Sequence, residues 1–365
     1  MFKKIAILTA VVLMSSLMTT VSHAQLQGLY EFDGGGDGTS WDDAANWEQV
    51  LDPSGNPISG NPATPPSGVT SADIPKLGVV LIDSSQPGQT ALNTNIGTAA
   101  GAGSLTISGG DLLAGKDVNV GRDANGINIG LLAVNSGTLD AGDDITLGNG
   151  SVGIMVMSGG AASTGDDFFV NANSSLTMNG GTLNVGDRLI TDANGGIVVN
   201  GGDIVADDDF YFFGSSQITV NSGSMIVKDK MRLDDPNAKV TVNGGLLRSQ
   251  EFGFCSTSDC STSYVLNGTL EINGSGIYQS QAPVDASSPV SQLSVAMAQA
   301  LIADGTITTS EAAPLHLGVQ SVIVPDFFGN TDLTFTQISI VPEPGSLLLL
   351  GLGGLGLLLR RKMIR

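Results

Sequence analysis

Ser175-Leu-Thr-Met178-Asn179-Gly-Gly181-Thr-Leu183-Asn-Val185-Gly-Asp187-Arg-Leu189-Ile-Thr191 is the stretch that decides the fold. Leu176 and Met178, then Leu183 and Val185, then Leu189 and Thr191 are each separated by one residue, the period-two spacing of half-buried strands. Asn179-Gly-Gly181 separates the first pair from the second, and Gly186-Asp187 separates the second from the third. Both are turn chemistry, because glycine and asparagine accept positive φ. The stretch therefore reads as three short strands and two corners.

The same unit recurs on either side. Its first corner is Ser108-Gly-Gly110, Asn135-Ser-Gly137, Ser158-Gly-Gly160, Asn179-Gly-Gly181, Asn200-Gly-Gly202, Asn221-Ser-Gly223 and Asn243-Gly-Gly245, with an imperfect Asn267-Gly-Thr269. The first step is the longest, and from Ser158 to Asn221 the corner recurs at one constant interval. Before each corner stand Ile107, Val134, Met157, Met178, Val199, Val220, Val242 and Leu266. Two residues earlier stand Leu105, Leu132, Met155, Leu176, Ile197, Ile218, Val240 and Tyr264. The second strand repeats Leu112, Leu139, Ala162, Leu183, Ile204, Met225 and Leu247. The third repeats Val118, Ile145, Phe168, Leu189, Phe210 and Met231.

One such coil cannot bury its own apolar side, but a stack can. Stacking at about 4.8 Å places like residues over like and pairs backbone between coils. The expected fold is all-β: a right-handed parallel β-solenoid of ~21–22-residue coils over 79–280. An antiparallel sandwich would space strands every ~8–12 residues without columns in register over seven copies. Residues 25–78 form the N-terminal cap and a Pro/Gly-rich lead-in, with Trp41 and Trp47 either closing the first coil or stacking on a sugar ring. Residues 281–340 form an α/β C-terminal cap, with a helix over 289–303 and strands over 319–324 and 333–340.

The two ends read as addresses. Lys3 and Lys4, an apolar run from Ile5 to Met18, and Ser22-His-Ala24 have the order of a secretion signal over 1–24, with signal peptidase expected to cut after Ala24. Residues 341–365 reverse that order: Val341-Pro342-Glu343-Pro344, an apolar run from Ser346 to Leu359, then Arg360-Arg361-Lys362. As a transmembrane helix this run reaches only about 21 Å at 1.5 Å per residue. The basic cluster stays cytoplasmic and leaves the body outside. Gly351, Gly353 and Gly356 spell G-x-G-x-x-G inside this apolar run, not after a strand, so they mark no dinucleotide site.

The Pro-Glu-Pro motif, the short apolar helix and the terminal arginines resemble the PEP-CTERM sorting tail. That resemblance implies a Gram-negative, exopolysaccharide-producing cell, processing by the membrane enzyme exosortase, transient anchoring in the inner membrane, and a cell-surface or extracellular-matrix destination. More loosely, Trp41 to Trp47 followed by a Pro-rich loop and Gly/Leu strand repeats resemble autotransporter-like β-repeat proteins.

The chain has 35 acidic against 15 basic residues, a net charge of −20. Six of the basic residues (Lys3, Lys4, Arg360, Arg361, Lys362, Arg365) lie in the two end segments, so the body is more acidic still. Nucleic acid is excluded as a partner, since phosphate needs the opposite sign. Cys255 and Cys260 are the two cysteines. In an exported chain they are expected to close a local disulfide.

Two outward stripes carry the candidate sites. Asp143, Asp166, Asp187, Asp208, Asp229 and Glu251 repeat as an acidic ladder, either a solvated edge or a place for calcium, which takes six to eight oxygens. Phe169, Ile190, Tyr211 and Phe254 form an outward apolar stripe, a contact surface for a glycan or for the folded-back C-terminal block. Lys228, Lys230 and Arg232 near Asp208 and Asp229 are the best catalytic grouping, and a weak one, because acid–base proximity is unavoidable in so acidic a chain. The expected function is a non-enzymatic surface or matrix protein associated with extracellular polysaccharide, with no cofactor unless the ladder takes calcium. A polysaccharide-degrading β-helix enzyme and a glycan- or calcium-binding adhesin are the alternatives.

Overall fold

The computed structural model describes residues 29–51, 65–67, 71–74, 78–86, 88–233, 235–252, 269–281, 293–311, 315–325 and 332–342. Ala24, Phe254, Cys255, Cys260, Tyr264, Leu266 and the tail from Glu343 through Pro344, Arg360 and Arg361 lie outside the described residues. Those that are described build a parallel β-solenoid of three sheets.

The first sheet stacks Gly153–Met157, Ser175–Met178, Gly196–Val199, Gln217–Val220 and Lys239–Val242 in parallel. The second stacks Ala161–Thr164, Thr182–Val185 and Asp203–Ala206, and continues into Ser224–Leu233. The third stacks Ile145–Leu147, Phe168–Val170, Leu189–Thr191 and Phe210–Phe212. Parallel pairing on the third sheet starts before residue 79, since Leu29–Phe32 pairs with Ser71–Ile74 and that strand with Thr94–Thr98.

The predicted columns form the core. Leu176, Met178, Leu183, Leu189, Ile197, Phe210 and Phe212 are fully buried, as are their counterparts in the flanking coils. Fully burying one such side chain is worth about 1.5–3 kcal/mol. Each coil therefore contributes only through its two neighbours.

The corner after the first strand has two reinforcements. Asn200 donates to the Asn179 side-chain oxygen at 3.0 Å, Asn221 to Asn200 at 2.8 Å, Asn243 to Asn221 at 2.8 Å and Asn273 to Asn243 at 3.1 Å. The glycine that follows is left-handed, with φ of +84° at Gly181 and +80° at Gly202. A Cβ on Gly181 would meet the Gly160 carbonyl oxygen at 2.6 Å. Only glycine suits both the backbone angle and the close approach of the coil below.

The eighth coil departs from the sequence reading. Val240 and Val242 pair with Leu270 and Ile272, not with Tyr264 and Leu266. The corner is Asn273-Gly274, with Gly274 at φ +55°. The step from Lys239 to its partner Thr269 is longer than any earlier step of this sheet, because an insertion that includes the cysteine segment precedes the strand.

Both ends are capped. Trp47–Leu51 runs antiparallel to Leu29–Phe32, and Phe32 and Trp41 contact the Trp47 ring edge-on at 5.3 and 5.0 Å. Trp41 and Trp47 are both 0% exposed, which rules out their stacking on a sugar and leaves the capping role. At the other end Asp332–Pro342 adds antiparallel to Ile277–Gln281 and to Leu315–Pro325. The helix covers Val295–Ala303, capped by the Ser294 hydroxyl accepting from the Met297 amide at 3.1 Å.

Gly196 provides a control for the corner glycine. Its Cβ position has nothing nearer than the Gln217 oxygen at 3.9 Å. Gly181→Ala should lower stability by about 1–3 kcal/mol. Gly196→Ala should be neutral or stabilise by about 0.4–1 kcal/mol. Urea unfolding of the two variants checks this, and equal effects would refute the corner argument.

Candidate functional site

Residues i and i+2 of a strand share a face, so the outward side of the third sheet carries two columns. Pairing of Phe169 with Ile190, Ile190 with Tyr211 and Tyr211 with Arg232 makes one column. The residues two positions earlier, Asp144, Asp167, Arg188, Asp209 and Lys230, make the other. One residue before these lies the corner ladder. There the Asp166 amide donates to the Asp143 carbonyl at 3.1 Å, Asp187 to Asp166 at 3.0 Å, Asp208 to Asp187 at 3.0 Å and Asp229 to Asp208 at 3.3 Å.

Glu251 does not extend this ladder. It pairs with Lys230, across a register shift that begins after Val227. The corner between Ser249 and Glu251 is one residue shorter than the corner between Val227 and Lys230, so the acid moves into the adjacent column. That column reads Asp144, Asp167, Arg188, Asp209, Lys230, Glu251, and from Asp167 onward its charges alternate.

The alternation is used. Arg188 forks onto Asp167, with Nε to Oδ1 at 3.0 Å and Nη2 to Oδ2 at 2.6 Å, and reaches Asp187 at 3.4 Å. Two parallel charge-assisted bonds are the strong form of this pair. Asp209 accepts from the Tyr211 hydroxyl at 2.6 Å and from the Lys230 amide at 3.0 Å, and faces Arg232 at 3.7 Å. Lys230 lies 3.3 Å from Asp229 and 3.7 Å from Glu251, and Lys228 lies 2.6 Å from Asp207. The three cations of the catalytic grouping are thus each ion-paired.

The carboxylates without a cation in their own register behave differently. Burial, then Asp143, Asp167 and Asp117, push Asp144 up to about 6. Burial, then Asp209, Asp187 and Asp229, push Asp208 up to about 6. Asp166 is raised by burial and then by Asp167, Asp187 and Asp143. Three groups bring carboxylate oxygens within 4.8 Å of one another: Asp143, Asp144 and Asp166; Asp166, Asp167 and Asp187; Asp208, Asp209 and Asp229. Calcium takes six to eight oxygens, so other donors would have to join any one of these groups to complete its shell.

The apolar column is half-buried at Phe169, Ile190 and Tyr211. Arg232 lies over the Tyr211 ring at 4.8 Å, and Phe213 stacks on that ring at 5.8 Å with planes 4° apart. Arg232 and Phe213 were absent from the sequence-derived stripe, although Arg232 follows Tyr211 at the same interval that separates Tyr211 from Ile190. Of the described C-terminal strands, Ile307–Thr308 pairs with Leu270 and Glu271, and Leu315–Pro325 and Asp332–Pro342 pair with each other and, through the latter, with Ile277–Gln281, so none pairs with the strands of this column.

Residues 341–362 match the PEP-CTERM protein-sorting motif. The chain thus carries that sorting motif, which implies export, transient anchoring through the C terminus and processing by exosortase. No curated protein and no solved structure matches the chain, and the autotransporter-like resemblance of the repeats gains no support. Among the described residues no helix is long and apolar enough to cross a membrane.

Two outcomes follow from the charge columns. Asp167 is 4% exposed, so Arg188→Ala leaves a buried carboxylate without its cation. The loss should be about 1–3 kcal/mol, toward the low end because the Arg188 side chain is 40% exposed. Thermal melting of the variant, with Arg188→Lys as the intermediate case, reads it. Asp208 titrates near 6 when folded against about 3.9 unfolded, so between these values the native state holds the extra proton. Its contribution to stability therefore falls as pH rises through about 4 to 6. Asp208→Asn should melt higher than wild type at pH 7.5 and lose that advantage at pH 4; a constant difference would refute the assignment.

Proposed function

We propose that the protein is a non-enzymatic surface or matrix component whose solenoid body holds extracellular polysaccharide along the outward face of its third sheet. One observation carries this reading: the Phe169–Ile190–Tyr211 column lies beside a polar column of alternating charge, Asp167, Arg188 and Asp209, on a body with an export address. Aromatic faces take the C–H face of a sugar ring, and fixed carboxylates accept its hydroxyls. Tyr211 suits the task as an amphipathic ring with its hydroxyl already anchored on Asp209. The coil rise of about 4.8 Å is close to the length of one sugar ring along an extended chain, so successive coils meet successive units. Ion pairing of Lys228, Lys230 and Arg232 favours binding over turnover.

A polysaccharide-degrading enzyme is the second reading. It is favoured by Asp144 and Asp208, whose pKa values near 6 suit a general acid.

The test is retention and chain length of the producing cell's exopolysaccharide on the body, residues 25–340, with and without calcium. Retention without shortening, weakened at least tenfold by Tyr211→Ala in a variant that still folds, is the expected result. Shortening of the polymer would replace the binding reading with the enzymatic one. Binding that appears only with calcium would move the site to the acidic ladder.

A further inference from the structure

The outward face of the third sheet changes character toward its N-terminal end. Above Asp144 and Thr146 the two columns continue as Asp117 and Asn119, Asn93 and Asn95, then Ser71 and Asp73. A pocket of about 260 Å³ opens over these six side chains, with Leu29 and Leu51 on its rim and Arg122 beside Asn119. No part of the aromatic column lines it.

The floor of the pocket is a built hydrogen-bonding array. Asn149 donates to Asn119 at 2.7 Å, Asn119 to Asn95 at 3.1 Å and Asn95 to Asp73 at 2.7 Å. Asn95 and Asn119 are 2% and 7% exposed, so the ladder holds both amides rigid. Each amide has two N–H donors, and the ladder uses one on each. Asn93 donates to the Ser71 hydroxyl at 3.1 Å and accepts from the Asp117 amide at 3.3 Å. The Asp117 carboxylate and the Arg122 guanidinium take part in no hydrogen bond or ion pair among the described residues. Burial raises the pKa of Asp73, against the Asn95 hydrogen bond and Arg122.

Donors and acceptors therefore alternate at coil spacing on a rigid floor with an apolar rim. That pattern matches vicinal hydroxyls, each of which donates and accepts, on a ring with an apolar face. An anionic ligand would find the one cation Arg122 set against Asp73, Asp117 and a chain of net charge −20. The volume lies just below the ~300–1,000 Å³ of sites for drug-sized ligands, which suits one or two sugar units.

We propose that this pocket binds a terminal segment of a neutral glycan, with Asn95, Asn119 and Asp117 meeting its hydroxyls and Leu29 and Leu51 its apolar face. The proposal deepens the polysaccharide reading, resting on it for the class of ligand but not for the aromatic column. Saturation-transfer NMR of the full chain in detergent, with neutral di- and trisaccharides and their uronate counterparts as probes, tests it. Neutral sugars should bind, uronates should bind at least tenfold more weakly, and Asp117→Ala should weaken neutral binding at least tenfold at unchanged melting temperature. Tyr211→Ala should leave these short ligands unaffected. Asn95→Ala should abolish binding where it folds, and Asp117→Ala decides the matter where it does not. No neutral binding, a preference for uronates, or wild-type binding by Asp117→Ala would overturn the proposal. The two readings fail separately. Polymer retained through Tyr211 with an inert pocket sinks only the pocket. Neutral sugars bound by a protein that does not retain the polymer sink only the matrix role of the aromatic column.

Discussion

Parallel stacking in register is the constraint on which every other feature of this molecule depends. A strand in an ordinary sheet meets different residues on each side. Here each position meets its own equivalent one coil above and one coil below, at about 4.8 Å. Apolar residues benefit, because the inward columns become continuous. Asparagine benefits too, because its side-chain amide donates on one side and accepts on the other, as the run from Asn179 to Asn273 shows. The glycine corners are the strictest case, since the carbonyl of the coil below occupies the space a Cβ would need.

Like over like is unfavourable for charge. Two carboxylates about 5 Å apart repel by roughly 0.8 kcal/mol even in water, and burial strengthens the repulsion. The chain answers in two ways along adjacent columns. In one, Arg188 and Lys230 are inserted between Asp167, Asp209 and Glu251, so the column neutralises itself from coil to coil. In the other, Asp143 to Asp229 stay uniformly acidic at the corner, and Asp208 is pushed up to about 6. The acidic corner also resists lateral pairing with a second solenoid, as charged edges do in other sheets.

The columns in register were legible because stacking leaves a period in the sequence. Leu176, Ile197 and Ile218 are evenly spaced, and a sandwich of hairpins imposes no such interval over many copies. Legibility ended where the coil length changed. Glu251 follows Asp229 at almost the repeat interval and looks like the next rung, but the residue lost at its corner hands it to Lys230. Asn267-Gly-Thr269 looks like the next corner because it too falls close to one repeat after Asn243. The insertion before Thr269 displaces the real corner to Asn273-Gly274, which also follows two alternating apolar residues, Leu270 and Ile272. The pocket was illegible for a different reason. Asp73 and Asn95 come from coils before the first counted corner, Ser108-Gly-Gly110, where no column could be counted, and Asn119 lies between two counted apolar positions, Val118 and Val120.

The address at the C terminus is joined to the fold without a spacer. The sorting motif begins at residue 341, and Val341 and Pro342 are the last paired residues of the closing hairpin, opposite His316 and Leu315. Proline has no amide hydrogen to give a ladder, so it suits the end of a strand. The first proline of Pro-Glu-Pro thus both terminates the body and opens the motif. An enzyme that recognises the motif in the membrane must work against the edge of the folded cap, or on a hairpin whose last pairs have frayed. The hairpin that closes the solenoid therefore shares Val341 and Pro342 with the sorting motif.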